Sequence, residues 1–115
     1  MTKTKALVHD SQANIYADLE LPDADGQFLK AQIVAELYRL AQSRKLTQGQ
    51  SGTLMGISQP EVSRLFKGHF REYSVERLMR FLTAFDQDVE IVASPGKKGE
   101  RGRVVFKPVA VSTQQ

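Results

Sequence analysis

The 115-residue sequence contains no cysteine and no tryptophan. Without thiols there is no disulfide scaffold, no thiol nucleophile and no cysteine-ligated zinc, and the composition fits a reducing compartment. No apolar run approaches the 18 or so residues needed to cross a bilayer, and the start, Met1-Thr2-Lys3-Thr4-Lys5, is not followed by the apolar core of a secretory signal. The expectation is a cytoplasmic protein. There are only two histidines, His9 and His69, and neither HxxH nor HExxH spacing occurs. Ser94-Pro95-Gly96-Lys97 matches S-x-x-K by letters alone, since it falls at a strand-to-loop junction and the accompanying motifs are missing. No glycine-rich phosphate loop opens a helix. The inventory therefore points away from an enzyme, a metal site or a cofactor.

What is present is ordinary globular composition, 41% apolar and 25% charged, on a chain the length of one domain. That length excludes dinucleotide-binding enzymes and α/β barrels. The formal charge of +3 is unevenly spread. Residues 1–26 carry two lysines against five acids, a balance of −3, and residues 27–115 carry +6. A basic body favours polyanions.

Periodicity divides the chain into three parts. Residues 1–26 read as an acidic, irregular segment, because Pro22, Asp23, Asp25 and Gly26 punctuate structure. Residues 27–87 read as helical. Leu29, Ile33, Leu37, Leu40 and Ala41 form one apolar stripe over 27–45, with Arg44 and Lys45 in its last turn. Thr47-Gln48-Gly49-Gln50 has capping-box form, and the helix it opens stops at Gly56. Ser58-Gln59-Pro60-Glu61 repeats the device, with proline tolerated in the first turn. That helix ends near Gly68 and turns Val62, Leu65 and Phe66 inward. Ser74 caps a further segment carrying Val75, Leu78, Met79, Leu82 and Phe85. Residues 88–115 change pattern: 88–93 alternate as a strand, 95–102 form a basic loop with Lys97, Lys98 and Arg101, and 103–107 are a second strand candidate. The fold expected is mainly α, a compact bundle of about five helices with a C-terminal β-strand or hairpin. An isolated hairpin is marginal in water, so Val89, Ile91 and Val92 are expected to pair either with residues 103–107 or with a second copy.

Residues 46–70, LTQGQSGTLMGISQPEVSRLFKGHF, hold two short helices joined by a tight turn at Gly56-Ile57. This is the layout of a helix-turn-helix. The residues Thr47-Gln48, Leu54 through Gln59, Val62 through Leu65, and Gly68 resemble the Xre-type (phage repressor and Cro-like) helix-turn-helix. Asn14 to Leu19 and Asp88 to Val92 further resemble the bacterial subgroup that includes HigA-like antitoxins.

The resemblance implies a cytoplasmic, commonly dimeric regulator of transcription that binds double-stranded DNA, often a repressor of its own operon. Carried onto this sequence, the base-reading positions are Gln59, Pro60, Glu61 and Arg64, with glutamine suited to adenine and arginine to guanine. Glu61 has a second reading as a member of its capping box. Gln48, Ser58 and Ser63 suit phosphate or nearby contacts, and Lys67 and Arg71 suit phosphate positioning. His69 is read as a surface or structural residue. The alternative function is an antitoxin that also binds a toxin protein, with the acidic head as one contact. One departure stands out: Gly49, Ser51 and Gly52 occupy positions where the family carries alanine, an apolar residue and alanine. Each glycine costs a helix interior roughly 0.8–1 kcal/mol, so this helix is expected to be marginal.

Overall fold

The computed structural model describes residues 23–109. The Asn14 to Leu19 motif and most of the acidic head lie outside the described residues. Among those described there are four helices: α1 (Asp23–Ser43), α2 (Gln48–Met55), α3 (Gln59–Phe66) and α4 (Val75–Ala84). A fifth helix is not among the described residues.

Helix α1 begins four residues earlier than its apolar stripe suggests. Asp23 and Asp25 occupy its first turn, where the unpaired N–H groups and the helix dipole favour carboxylates. Gly26 is absorbed into the helix instead of ending it. Arg44 and Lys45 lie beyond the last turn. Lys45 takes a left-handed φ of 57°, its N–H donates to the Gln42 carbonyl at 3.0 Å, and the Leu46 N–H donates to Ala41 at 2.9 Å. This pairing closes the helix in a Schellman arrangement. The end of α4 repeats it: Asp86 has φ 64°, with Asp86 donating to Thr83 and Gln87 to Leu82. The Arg44 guanidinium joins the two ends. It donates to the Phe85 carbonyl, sits 3.4 Å from Asp86 Oδ2 and lies over the Phe85 ring at 5.5 Å.

The core gathers the inward stripe of α1 (Leu29, Ile33, Leu37, Leu40), Val62 and Leu65 of α3, and Leu78, Phe81, Leu82 and Phe85 from the last helical segment. Met55 and Ile57 close it beneath the turn.

No strand forms among residues 88–109, which corrects the hairpin expectation. The segment has no backbone ladder within the chain, and the Glu100 N–H closes a turn onto the Lys97 carbonyl at 3.1 Å. It is held by side chains: Val89 and Phe106 pack against the core, and Phe106 meets the Gln32 carboxamide through both backbone groups, at 3.4 and 3.5 Å. Ile91 and Val92 stay exposed. Val89, expected at an interface, lies partly buried against the chain's own core.

Candidate nucleic-acid interface

Helices α2 and α3 form the corner anticipated from the capping boxes. At α2, the Gln50 N–H donates to Thr47 Oγ1 at 3.0 Å and the Thr47 N–H returns to Gln50 Oε1 at 2.8 Å. At α3, the Glu61 N–H donates to Ser58 Oγ at 3.2 Å and the Ser58 N–H to Glu61 Oε1 at 3.3 Å. Between them Gly56 adopts φ 76°, a left-handed conformation that glycine takes without a Cβ clash. Its N–H donates to the Gly52 carbonyl at 2.7 Å, and Ile57 is buried under the turn.

Gly52 is what lets the two helices come this close. A Cβ there would lie 2.5 Å from the Ile57 carbonyl oxygen and 3.3 Å from Val62 Cγ2. The glycine that lowers the helix propensity of α2 is thus required by its packing. Ser51, beside it, is fully buried, and its hydroxyl finds no partner among the described residues.

The outward side of α3 carries the predicted reading residues. Gln59, Pro60 and Arg64 are exposed, Ser63 is half-buried, and Lys67 follows exposed at the helix end. The positions 60, 64 and 67 recur at spacings of four and three, so they share one face. An α-helix with its side chains is about 10–12 Å across, which a major groove about 12 Å wide admits. Gln59 Nε2 donates to Gln48 Oε1 at 2.6 Å, so the two glutamines from adjacent helices form one unit. Exposed Ser58 and half-buried Gln48 sit at the base of this face.

Glu61 is committed to structure. One carboxylate oxygen closes the capping box and the other accepts from the Tyr73 hydroxyl at 3.5 Å. Burial and this neighbouring carboxylate hold the Tyr73 hydroxyl above its usual pKa. Arg71 stands apart from the α3 face. Its guanidinium forms a two-point pair with Asp23 at 3.2 and 3.3 Å, and its carbonyl accepts from Lys30 Nζ at 2.8 Å. Partial burial, followed by the adjacent Arg71 charge, lowers the Lys30 pKa. Lys30 is a cation at this edge that sequence reading missed; it lies 41 residues from Arg71, and no local pattern links the two. From Ser58 to Tyr73 the charged side chains are Arg64, Lys67 and Arg71 against Glu61 and Glu72, a net positive stretch. The described residues hold no cluster of side chains suited to a metal ion, and no described helix is long and apolar enough to cross a membrane.

A capped short helix set across a second one, with an uncommitted polar and basic face turned outward, defines the helix-turn-helix class. A family model described as a helix-turn-helix domain matches residues 15–94, and the chain belongs to that family. A solved structure provisionally named an XRE family transcriptional regulator is similar at 37% identity and a TM-score of 0.66, covering 78% of this chain and 100% of that one. No curated protein matches the chain.

Proposed function

We propose that this protein is a sequence-specific DNA-binding regulator of transcription, acting as a repressor, which places the N-terminal half of α3 in the major groove. The observation that carries this reading is the exposure of Gln59 and Arg64 on a helix fixed at both ends, one of them already paired to Gln48. In this reading Gln59 pairs with adenine and Arg64 with guanine through N7 and O6. Pro60 offers apolar contact only. Gln48, Ser58, Ser63 and Lys67 contact the sugar-phosphate frame, with Arg71 and Lys30 behind them. Arg71 reaches phosphate by exchanging one anion for another, since its pair with Asp23 is exposed on both sides and such pairs are worth at most about 1 kcal/mol.

One recognition helix covers few base pairs, so a two-fold dimer on a palindromic site is part of the proposal. Pairing with a second copy is assigned to the exposed Ile91 and Val92, which belong to no ladder among the described residues. The antitoxin alternative adds a protein partner. It draws on the resemblance and on the −3 balance of residues 1–26, and co-purification of a small basic protein is the result that would select it.

Selection of bound duplexes from a random pool tests the reading, with a palindrome as the expected outcome. On the selected site, Arg64→Ala is expected to cost about 1–3 kcal/mol and to relax preference at one base pair. Lys67→Ala should weaken cognate and scrambled duplexes alike and reduce the salt slope by about 1. Equal losses on both duplexes for Arg64→Ala would reject its reading role.

A further inference from the structure

Between residues 96 and 103 the chain carries four cations, Lys97, Lys98, Arg101 and Arg103, against one acid, Glu100. All five side chains are exposed. The ion pairs among the described residues lie elsewhere, at Arg39, Arg44, Arg71 and Arg80. The loop thus presents a concentrated positive charge to an outside partner.

Its shape is set by a tight turn and two anchors. The Glu100 N–H donates to the Lys97 carbonyl at 3.1 Å, and Gly99 between them has φ 83°. This is the pattern of a type II turn, which favours glycine at that position. Val89 packs on the core before the loop and Phe106 after it, the latter also bonded through its backbone to Gln32. Gly96, Lys97, Glu100, Arg101, Gly102 and Arg103 line a concavity of about 370 Å³. A Cβ added to Gly96, Gly99 or Gly102 would meet nothing within 4 Å. Their amides find no backbone acceptor among the described residues, so open N–H groups stand beside the cations. Phosphate oxygens accept from both kinds of donor.

The loop from Gly96 to Arg103 has no apolar side chain. A protein interface is built around an apolar centre from which lysine is depleted, whereas DNA interfaces are polar and strongly positive.

We propose that the 96–103 loop is a second DNA contact, one that grips the sugar-phosphate frame apart from α3. The cations pair with phosphates and the glycine amides donate to their oxygens. This contact presupposes that the protein binds duplex DNA, as proposed above, but not that α3 reads it. The loop is fastened through residues 89 and 106 and shares no residue with the reading face. It carries no base preference. It adds affinity on every duplex and steepens the salt dependence, by about 0.9 in log–log slope for each phosphate neutralised.

The test uses full-length protein labelled with nitrogen-15 and a scrambled duplex. Adding the duplex should shift the amide signals of Gly96, Gly99 and Gly102 together with those of Arg64 and Lys67. Lys97→Ser, Lys98→Ser, Arg101→Ser and Arg103→Ser, combined in one chain, should lower affinity about tenfold or more at about 0.1 M salt and reduce the slope by about 2–3. Cognate and scrambled duplexes should lose alike, and urea unfolding should be unchanged because these side chains are exposed. Loop amides that stay put while those of Arg64 and Lys67 move, or an unchanged slope in the serine variant, overturn the loop contact and leave α3 as the reader. Loop amides that move while those of α3 stay put support the loop contact and remove α3 from the reading. If both sets stay put, DNA is rejected as the partner and both proposals fall. Inorganic triphosphate is the control for a small anion. Loop shifts equal to those from the duplex at the same phosphate concentration mean a site for free phosphates, and overturn the assignment to DNA.

Discussion

Two neighbouring residues of α2 show how a shared helix can carry opposite constraints. Ser51 buries a hydroxyl without a partner among the described residues, at an expense of about 1–3 kcal/mol in desolvation. Ser51→Ala is expected to stabilise the fold by about 1 kcal/mol in urea unfolding. Gly52→Ala should do the reverse. The added methyl would meet the Ile57 carbonyl at 2.5 Å, and backbone cannot yield as a flexible side chain does. A loss of about 1–3 kcal/mol follows from overpacking, despite alanine's better helix propensity. A gain for Gly52→Ala in the same measurement would show that α2 and α3 are free to separate. Tyr73 gives a pH signature. Its hydroxyl ionises at higher pH in the folded state than in the unfolded chain, so folding binds the proton more tightly. The resulting stability is complete below the ordinary tyrosine value of about 10 and is lost as pH climbs through the raised folded value. Lys30 works in the opposite sense, because its lowered folded pKa relieves a penalty as pH rises toward its ordinary 10.5. Stability followed from pH 9 to 11 should therefore fall less steeply in Tyr73→Phe than in the parent.

At the scale of elements, the reading helix is only as well placed as its joint to α2. The bond from Gln59 to Gln48 ties a base-reading side chain to a phosphate-facing one. A double-mutant cycle with Gln48→Ala and Gln59→Ala should give a coupling energy of about 0.5–1.5 kcal/mol in DNA affinity. Strict additivity would mean the two act separately. The capping boxes and the Gly56 turn that build this joint were legible in the sequence because each is a contact over three or four residues, encoded by side chains that favour caps and turns. The start of α1 was not, since Asp23, Asp25 and Gly26 read as loop composition while their positions in a first turn reverse that meaning. Nor was the role of Gly52, whose closest contact depends on the angle between two helices. The joint of α1 to α4 belongs with these: Arg44 bridges to Phe85 and Asp86 across 41 residues, and its cationic contacts make Arg44→Ala worth a loss of about 1–2 kcal/mol in stability.

For the whole molecule, residues 88–93 and 103–107 were expected as strands, paired with a second copy or with one another, and among the described residues they form no ladder within the chain. Period two describes a backbone conformation, but a ladder needs a neighbour, and here the side chains of α1 take that place. Gln32 offers its carboxamide to both the N–H and C=O of Phe106, as a neighbouring strand would, and the Phe106 ring lies on the core. The basic loop of Lys97, Lys98, Arg101 and Arg103 is thereby anchored on both sides, by Val89 before it and Phe106 after it. Cutting the chain after Asp86 would remove these core contacts together with the Ile91–Val92 edge, so loss of dimers in that truncation would not by itself locate the interface. Point changes separate the two. Phe106→Ala removes a half-buried ring, and an unfolding loss of about 1–3 kcal/mol is expected, short of the 3–5 kcal/mol of a fully buried one. Light scattering should show the same oligomeric state as the parent. Ile91→Lys should change association and leave stability nearly untouched, because that side chain is 71% exposed. If Phe106→Ala instead altered association without altering stability, the arm would be serving the contact between copies, and the clamp on α1 would have no structural role.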